Sequence, residues 1–155
     1  GTARYMALVL LARHWSENPE TYALVRDRAV TDPHGTARYT ALVLLAGHWP
    51  EKQDIYAVFR DCAVTDPESE VRLEALRLWA AEPTDEVRDV LRVRARHDES
   101  SAVRCRAVWM LAFGWPTDQH TLPALQDLAV NDQVEDVRVA AENAVQVVEA
   151  IVVSE

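Results

Sequence analysis

The sequence predicts an all-α protein in which short helical hairpins stack side by side as an α-solenoid. Residues 35–68 repeat residues 1–34 with 23 of 34 aligned positions identical. Apolar residues recur at the i, i+3, i+4, i+7 spacing of an amphipathic helix, and no stretch shows the period-2 alternation of a half-buried strand. A repeat of this length is typical of arrays whose units are each too small to bury their own apolar face.

A fixed register of residues carries the repeat through the rest of the chain. Each unit has an arginine near its start, an alanine three residues later, and a closing aspartate six residues before the next arginine. The arginines are Arg4, Arg38, Arg72, Arg104 and Arg138, and the aspartates are Asp32, Asp66, Asp98 and Asp132. This register predicts a single repeat domain over 1–155, with repeats at 1–34, 35–68, 69–99 and 100–134 and a terminal half at 135–155.

Each full unit is predicted to hold two helices. The first carries the arginine, the alanine and an apolar stripe such as Leu8 and Leu11. A turn with proline and polar residues follows, because proline stops one helix and a polar side chain caps the next. The second helix has its own alanine, as at Ala29, and ends at the aspartate, where Pro33 or Pro67 helps to start the next helix. The sum is about nine helices and no sheet.

The two ends of the predicted array differ in polarity. In the last unit Glu142 and Gln146 replace the leucine and alanine that other units have at these positions. Solenoids need terminal units with a polar outer face, so residues 135–155 are predicted to be a C-terminal cap. The first unit is as apolar as the interior ones. We therefore expect the natural chain to continue upstream, and we expect residues 1–155 by themselves either to expose an apolar patch at the uncapped N-terminal end or to self-associate through it.

The repeated motif resembles the HEAT repeat family. It reads Asp-Pro-x-x-x-Val/Ala-Arg-x-x-Ala-Leu-x-x-Leu-Ala at 32–46 and again at 66–80, where Trp79 replaces the second leucine, whereas the Gly and Tyr of the tetratricopeptide signature are missing. The resemblance covers the whole chain and implies a right-handed α-solenoid of HEAT-like helical hairpins. It also implies a hydrogen-bonded structural ladder between neighbouring units. The ladder residues would be Asp32, Asp66, Asp98, Asp132, Arg38, Arg72, Arg104 and Arg138.

Composition argues against several classes of function. A net charge of -9 is unsuited to a general nucleic-acid binder, and no apolar run approaches the roughly 20 residues that span a bilayer. Cys62 and Cys105 lie in apparent helices of different repeats, which favours a reducing, cytoplasmic compartment over a disulfide framework. No phosphate loop, nucleophile elbow or zinc spacing is present. We expect no catalytic, cofactor or metal residues and no enzymatic activity.

Two sets of residues are candidates for a partner surface. Differences between the near-identical units cluster in the inter-helix turn, where drift is the simpler explanation and a diversified recognition surface the alternative. These residues are Asn18, Glu20, Thr21, Lys52, Gln53 and Asp54. The second set is Arg88, Arg92 and Arg96, spaced i, i+4, i+8 on one helix. This row either docks an acidic partner or phosphates, or forms a solvated face with local ion pairs.

The aromatic row Trp15, Trp49 and Trp115 lies on the same stripe as the leucines and is interpreted as core or seam packing, with a ligand-stacking row as the alternative. The favoured function is a non-catalytic protein-interaction, sensor or scaffold module that binds another protein or another domain of its own chain. The near-identical repeats look like the C-terminal arrays of bacterial STAND/NACHT-type signalling ATPases, which implies sensing or autoinhibition. The alternative is a HEAT-like enzyme or lyase subunit, for example one similar to the bilin lyases.

Overall fold

The structure is a computed structural model that describes residues 2–154, and within them it contains nine α-helices and no strand. The helices are α1 Thr2–Trp15, α2 Pro19–Thr31, α3 Gly35–His48, α4 Ile55–Thr65, α5 Ser69–Trp79, α6 Asp85–His97, α7 Ser101–Gly114, α8 Thr121–Asn131 and α9 Glu135–Val153. The predicted all-α solenoid class is confirmed, with two helices in each full repeat and one in the terminal half. No helix in this described part is long and apolar enough to cross a membrane.

The helices fall into two compact units. The first extends to Ala81 and contains α1–α5, and the second begins at Glu82 and contains α6–α9. In the first unit α2 packs mainly on α3, and α4 on α5; in the second, α6 packs on α7, and α8 on α9. Within the two units α2, α4 and α8, which are second helices of their repeats, therefore pack more closely on the first helix of the next repeat than on their own hairpin partners. The single domain over 1–155 stays a prediction.

The alanines lie where helices are packed most closely. Ala41, Ala75 and Ala107 on the first helices are fully buried, as are Ala29 and Ala63 on the second helices. A small side chain at these places lets two helix axes approach to about 8–10 Å. The exceptions are informative, because Ala7 in α1 is exposed and Ala129 in α8 is half-buried. The same residue type is buried only where a neighbouring helix covers it.

The repeated aspartates shape the turns between repeats. Asp32 adopts an extended backbone with φ -63° and ψ 132°, and Asp66, Asp98 and Asp132 repeat this conformation within a few degrees. In each turn the aspartate Oδ1 accepts a hydrogen bond from the backbone N–H two residues later, at 2.9–3.0 Å. Such short-range side-chain bonds favour turns over continued helix. The aspartate therefore ends one helix before it takes part in any longer-range contact.

The last helix carries the polar positions that the sequence assigns to a cap. Glu142 and Gln146 are both exposed on α9, whereas Ala141, Ala144 and Val148 on its other side are buried. α9 therefore packs on α7 and α8 through an apolar side, and its outer side carries Glu142 and Gln146 as well as the exposed Val139.

Candidate interaction surfaces

The structure brings together an arginine and the aspartate that closes the same repeat, 28 residues later. Arg38 donates from Nε and Nη2 to the two carboxylate oxygens of Asp66 at 2.7 and 2.8 Å, and both side chains are buried. Arg104 donates in the same way to Asp132 at 2.9 and 3.0 Å. These are planar two-point contacts between a guanidinium and a carboxylate, which are strong and directional.

Each ladder arginine also binds the turn that precedes its own helix. Nη1 of Arg38 donates to the carbonyl oxygen of Asp32 at 2.8 Å. Arg72, Arg104 and Arg138 repeat this bond, each at 2.8 Å, with the carbonyl of the aspartate six residues earlier. The guanidinium of Arg38 thus joins the last turn of the preceding repeat to the end of its own repeat, and that of Arg104 does the same. The resemblance implied an aspartate–arginine ladder between neighbouring units but did not specify which atoms form it.

The ladder contacts shift the acidity of their members. The hydrogen bond to Asp66 raises the pKa of Arg38, and the bond to Asp132 raises the pKa of Arg104, although burial acts in the opposite direction. Burial alone would raise the pKa of Asp132, but bonds from Arg104 and the backbone N–H of Val134 outweigh it and hold the pKa below its usual value. Both groups are therefore charged at neutral pH, and their role is structural.

The first ladder position has a different environment. Arg4 lies 3.6 Å from Asp32, and the Arg4 side chain is 52% exposed while that of Asp32 is 2% exposed. Around it lies an apolar surface that we call the outer face of α1. It consists of the exposed residues Ala3, Met6, Ala7, Leu10 and Trp15. The sequence predicts an uncovered end here, but it does not identify which side chains are exposed.

The arginine row of α6 is engaged in ion pairs. Arg88 pairs with Asp85 at 2.8 Å and with Asp118 at 3.4 Å, and Arg92 also pairs with Asp118. Arg96 pairs with Asp127 of α8 at 2.7 Å. Burial of Asp118 opposes its ionisation, but the His120 backbone bond and the two arginines lower its pKa. The interpretation as a face with local ion pairs therefore describes Arg88 and Arg92 well, while Arg96 remains about half exposed.

A groove beside this row was not predicted from the sequence. It lies between α6 and α8 and has a volume of about 560 Å³. Leu111 of α7 and Leu128 of α8 contribute buried apolar surface, and Arg92 and Arg96 stand on the α6 side. The sequence signal that could have indicated it is the replacement of the tyrosine found at positions 22 and 56 by Arg88, together with the additional arginines in the same helix.

The turn residues form a local network in the first unit. The side chain of Asn18 caps α2 by accepting the Glu20 N–H at 2.9 Å. Asp54 accepts the Tyr22 hydroxyl at 2.5 Å and pairs with Arg26 at 3.3 Å, and Lys52 lies 5.5 Å from the Tyr22 ring centroid. Burial and the bond to Asp54 raise the pKa of Tyr22. These residues support the turn itself, as well as being accessible to a partner.

The predicted turn surface needs one correction. Thr21 is 5% exposed, and Ile55, which occupies the same position in the second repeat, is 2% exposed. This position faces inward because it is the first apolar-facing site of the second helix. Glu20 and Gln53 are exposed. The surface that remains consists of Asn18, Glu20, Lys52, Gln53 and Asp54.

The tryptophan row does not share one environment. Trp49 is buried, and its Nε1 donates to the carbonyl of Ser16 at 2.9 Å. Trp115 is half-buried and Trp15 is exposed. The packing interpretation describes Trp49, where the preceding repeat covers the ring.

Neither cysteine lies in a nucleophilic setting. Cys62 is buried, and burial raises the pKa of its thiol to about 11. Burial also raises the pKa of Cys105. Both thiols are therefore protonated at neutral pH, and a protonated thiol is a poor nucleophile and metal ligand. Among residues 2–154, no cluster of three His, Cys, Asp or Glu side chains is suited to hold a metal ion.

The helix pairs and the ladder define a class of protein, the α-solenoids built from stacked helical hairpins. A family model described as HEAT repeats matches residues 56–146, which is more than half of the chain. The chain therefore belongs to the HEAT repeat family. HEAT repeats commonly form scaffolds for protein interactions. Neither a curated protein nor a solved structure matches the chain.

Proposed function

We propose that this chain is a non-catalytic protein-interaction module and that the outer face of α1 is one of its contact surfaces. The observation that carries the proposal is a comparison within the first unit. Residues 2–15 and 36–49 differ only at Met6, which is Thr40 in α3, and at Arg13, which is Gly47. Nearly the same helix therefore occurs twice, in two environments.

The second occurrence identifies what covers such a face. α3 packs on α4 and α5, as α1 packs on α2 and α3, but α3 also packs on α1 and α2, which precede it. Leu10 is 46% exposed whereas Leu44 is 9% exposed, and Trp15 is 55% exposed whereas Trp49 is 4% exposed. The residues that are exposed in α1 and buried in α3 are therefore the ones that a preceding helical hairpin covers.

The chemistry of the face favours a helical hairpin as its partner. Arg38 and Trp49 both donate to backbone carbonyls of the preceding hairpin, those of Asp32 and Ser16. α1 offers the equivalent donors on Arg4 and Trp15. It contains Arg4 and Arg13 and no acidic residue, so contact between two copies of α1 would bring like charges together. A hairpin with small side chains and free carbonyls at its helix ends matches the face better than a second α1 does.

An added hairpin tests this proposal directly. A second copy of residues 1–34 is fused upstream of the chain through a protease-cleavable linker, and the linker is then cut. We expect the hairpin to stay bound and the fluorescence of Trp15 to shift to shorter wavelength as the ring is buried. Ala7→Arg should release the hairpin, because an arginine cannot fit where the helix axes approach closely.

The control is Val30→Arg, which places the same charge on an exposed site of α2 outside the outer face. Release of the hairpin from the parent chain as readily as from Ala7→Arg would contradict the proposal. Sedimentation of the 155-residue chain provides a second check. A dimer that Ala7→Arg dissociates would assign the face to self-association instead.

The kind of larger protein to which this repeat domain belongs is also a proposal. The near-identity of the first two repeats supports a place in the repeat array of a larger bacterial signalling protein in the cytoplasm, as in STAND/NACHT-type ATPases. The partner would then be another protein or another domain of the same chain.

A further inference from the structure

A second surface of the molecule, the α6–α8 groove in the second unit, has the features of a peptide-binding site. Its apolar part includes Ala95, Leu111 and Leu128, which are almost fully buried, and the more exposed Val93 and Pro123. A volume of about 560 Å³ falls within the range of pockets that hold bound groups.

The groove is open because α6 and α8 do not pack closely against each other. In the first unit α2 and α4, the second helices of consecutive repeats, pack against one another. α6 and α8 occupy the same places in the next two repeats but make less extensive contact. The long side chains of Arg92 and Arg96 lie between them, joined to Asp118 and Asp127. The space that helix packing fills in the first unit is therefore available in the second.

The groove is also elongated. A neighbouring depression of about 470 Å³ shares Arg96, His97 and Leu128 with it and continues to Asn131 and Gln133. An elongated, open groove with an apolar floor suits a segment of polypeptide, in the manner of a helix or extended chain laid between two helices. A compact small molecule would leave much of its length empty.

Charge separates the groove from the rest of the molecule. The residues that line the groove itself include Arg92, Arg96, His97 and His120 and no acidic residue, whereas Asp127 and Asp132 line the neighbouring depression together with Arg104 and the chain as a whole carries a net charge of -9. A short acidic segment would therefore be attracted locally. A nucleic acid would extend beyond the groove over an acidic surface and would be repelled there.

The basic groups can exchange their partners. The pair of Arg96 and Asp127 is about half exposed on both sides, and exposed ion pairs contribute little to stability. A carboxylate of a ligand can replace Asp127 at little cost.

We infer that the α6–α8 groove binds an acidic protein segment, one in which bulky apolar side chains alternate with Asp or Glu. The apolar side chains lie over Val93 and Pro123, and the carboxylates pair with Arg96 and Arg92. This site is separate from the outer face of α1 and does not depend on it.

A peptide-display selection tests the inference with the full 155-residue chain. A random library is selected against the chain, and recovered peptides are measured as free fluorescent peptides. We expect them to combine Leu, Ile, Phe or Trp with Asp or Glu, and to bind more weakly as salt is raised. Their affinity should fall on the order of tenfold with Arg96→Glu, which reverses a charge at the groove. It should fall similarly with Ala124→Trp, which fills it.

The matched control is Arg13→Glu, the same charge reversal at an exposed position whose counterpart in α3 is glycine. It should leave the affinity unchanged, and circular dichroism should show all three variants folded. Three results would overturn the inference: recovered peptides without acidic residues, equal binding to Arg96→Glu and Arg13→Glu, or tighter binding of a single-stranded oligonucleotide than of any peptide. Failure here would leave the test at α1 unaffected, because Ala7 and Arg96 lie in different units.

Discussion

α1 and α3 are nearly the same helix in two environments, and they show how strongly the environment determines what a residue contributes to stability. Residues 2–5 and 36–39 both read Thr-Ala-Arg-Tyr, and residues 14–15 and 48–49 both read His-Trp. In α3 the arginine, the central alanine and the tryptophan are buried against the preceding hairpin; in α1 their counterparts are exposed. The residue pattern of this helix is therefore suited to packing on two sides, one against the helices that follow it and one against a preceding hairpin. The second side contributes to stability only where a hairpin covers it.

The largest expected difference is at the tryptophans. Trp49→Ala removes a buried ring and its bond to Ser16, and we expect it to lower the free energy of unfolding by about 3–5 kcal/mol. Trp15→Ala removes an exposed ring and should cost less than about 1 kcal/mol. Urea unfolding followed by circular dichroism measures both. Equal losses would show that Trp15 is also covered in solution.

The arginines should differ nearly as much. Arg38→Met leaves the buried carboxylate of Asp66 without its guanidinium and should cost about 3–5 kcal/mol. Arg4→Met, at a mostly exposed arginine 3.6 Å from its carboxylate, should cost about 1 kcal/mol or less. Adding Asp66→Asn to Arg38→Met should restore part of the loss, because the amide carries no buried charge. A double variant no more stable than Arg38→Met would contradict this account of the ladder.

The alanines test the packing distance. Ala41→Leu enlarges a side chain in a closed helix–helix seam, and we expect a loss of about 1–3 kcal/mol. Ala7→Leu enlarges an exposed side chain and should change the stability by no more than about 0.5 kcal/mol. Thermal unfolding of the pair is sufficient to distinguish them. If Ala7→Leu were as harmful as Ala41→Leu, α1 would have to be covered on its outer face.

The smallest expected effect is on the pH dependence of stability, and it concerns Asp132 in the second unit. The helix sequence has diverged there, but the arginine–aspartate contact recurs. The pKa of Asp132 is lower in the folded protein than in the unfolded chain, so its ionised form stabilises the fold above the unfolded pKa of about 3.9. That contribution is lost as the pH falls through the lower folded pKa. Asp132→Asn should therefore show a flatter decline of stability below about pH 4 than the parent chain. Identical acid profiles for the two would show that the carboxylate is not linked to folding.

Much of the fold could be predicted because local and repeated signals agree. The spacing of Arg38, Ala41 and Leu45 predicts both a helix and its buried side, and the same spacing in every repeat gives the helix number and the stacking class. The candidate surfaces were less predictable. Thr21 differs between the repeats and was assigned to a surface, yet it is buried, because variation in sequence does not report which side of a helix a residue occupies.

The groove could not be predicted, since it depends on how closely α6 and α8 approach. Residues 92 and 118 are separated by a helix and two turns, and no local pattern shows that their side chains meet. The sequence shows an arginine row in α6. It does not show that two of its members line an apolar depression.

By itself, the sequence determined the helices, the repeat register and the membership of a family of stacked hairpins, because each follows from short-range periodicity copied along the chain. Three features required the tertiary structure: which copies of the same residue are buried, where a groove stays open, and that Arg38 and Arg104 each bind both the carbonyl before their helix and the aspartate after it. The physical reason is that burial and pairing depend on which neighbour is present, and identical segments such as those around Arg4 and Arg38 do not have the same neighbours.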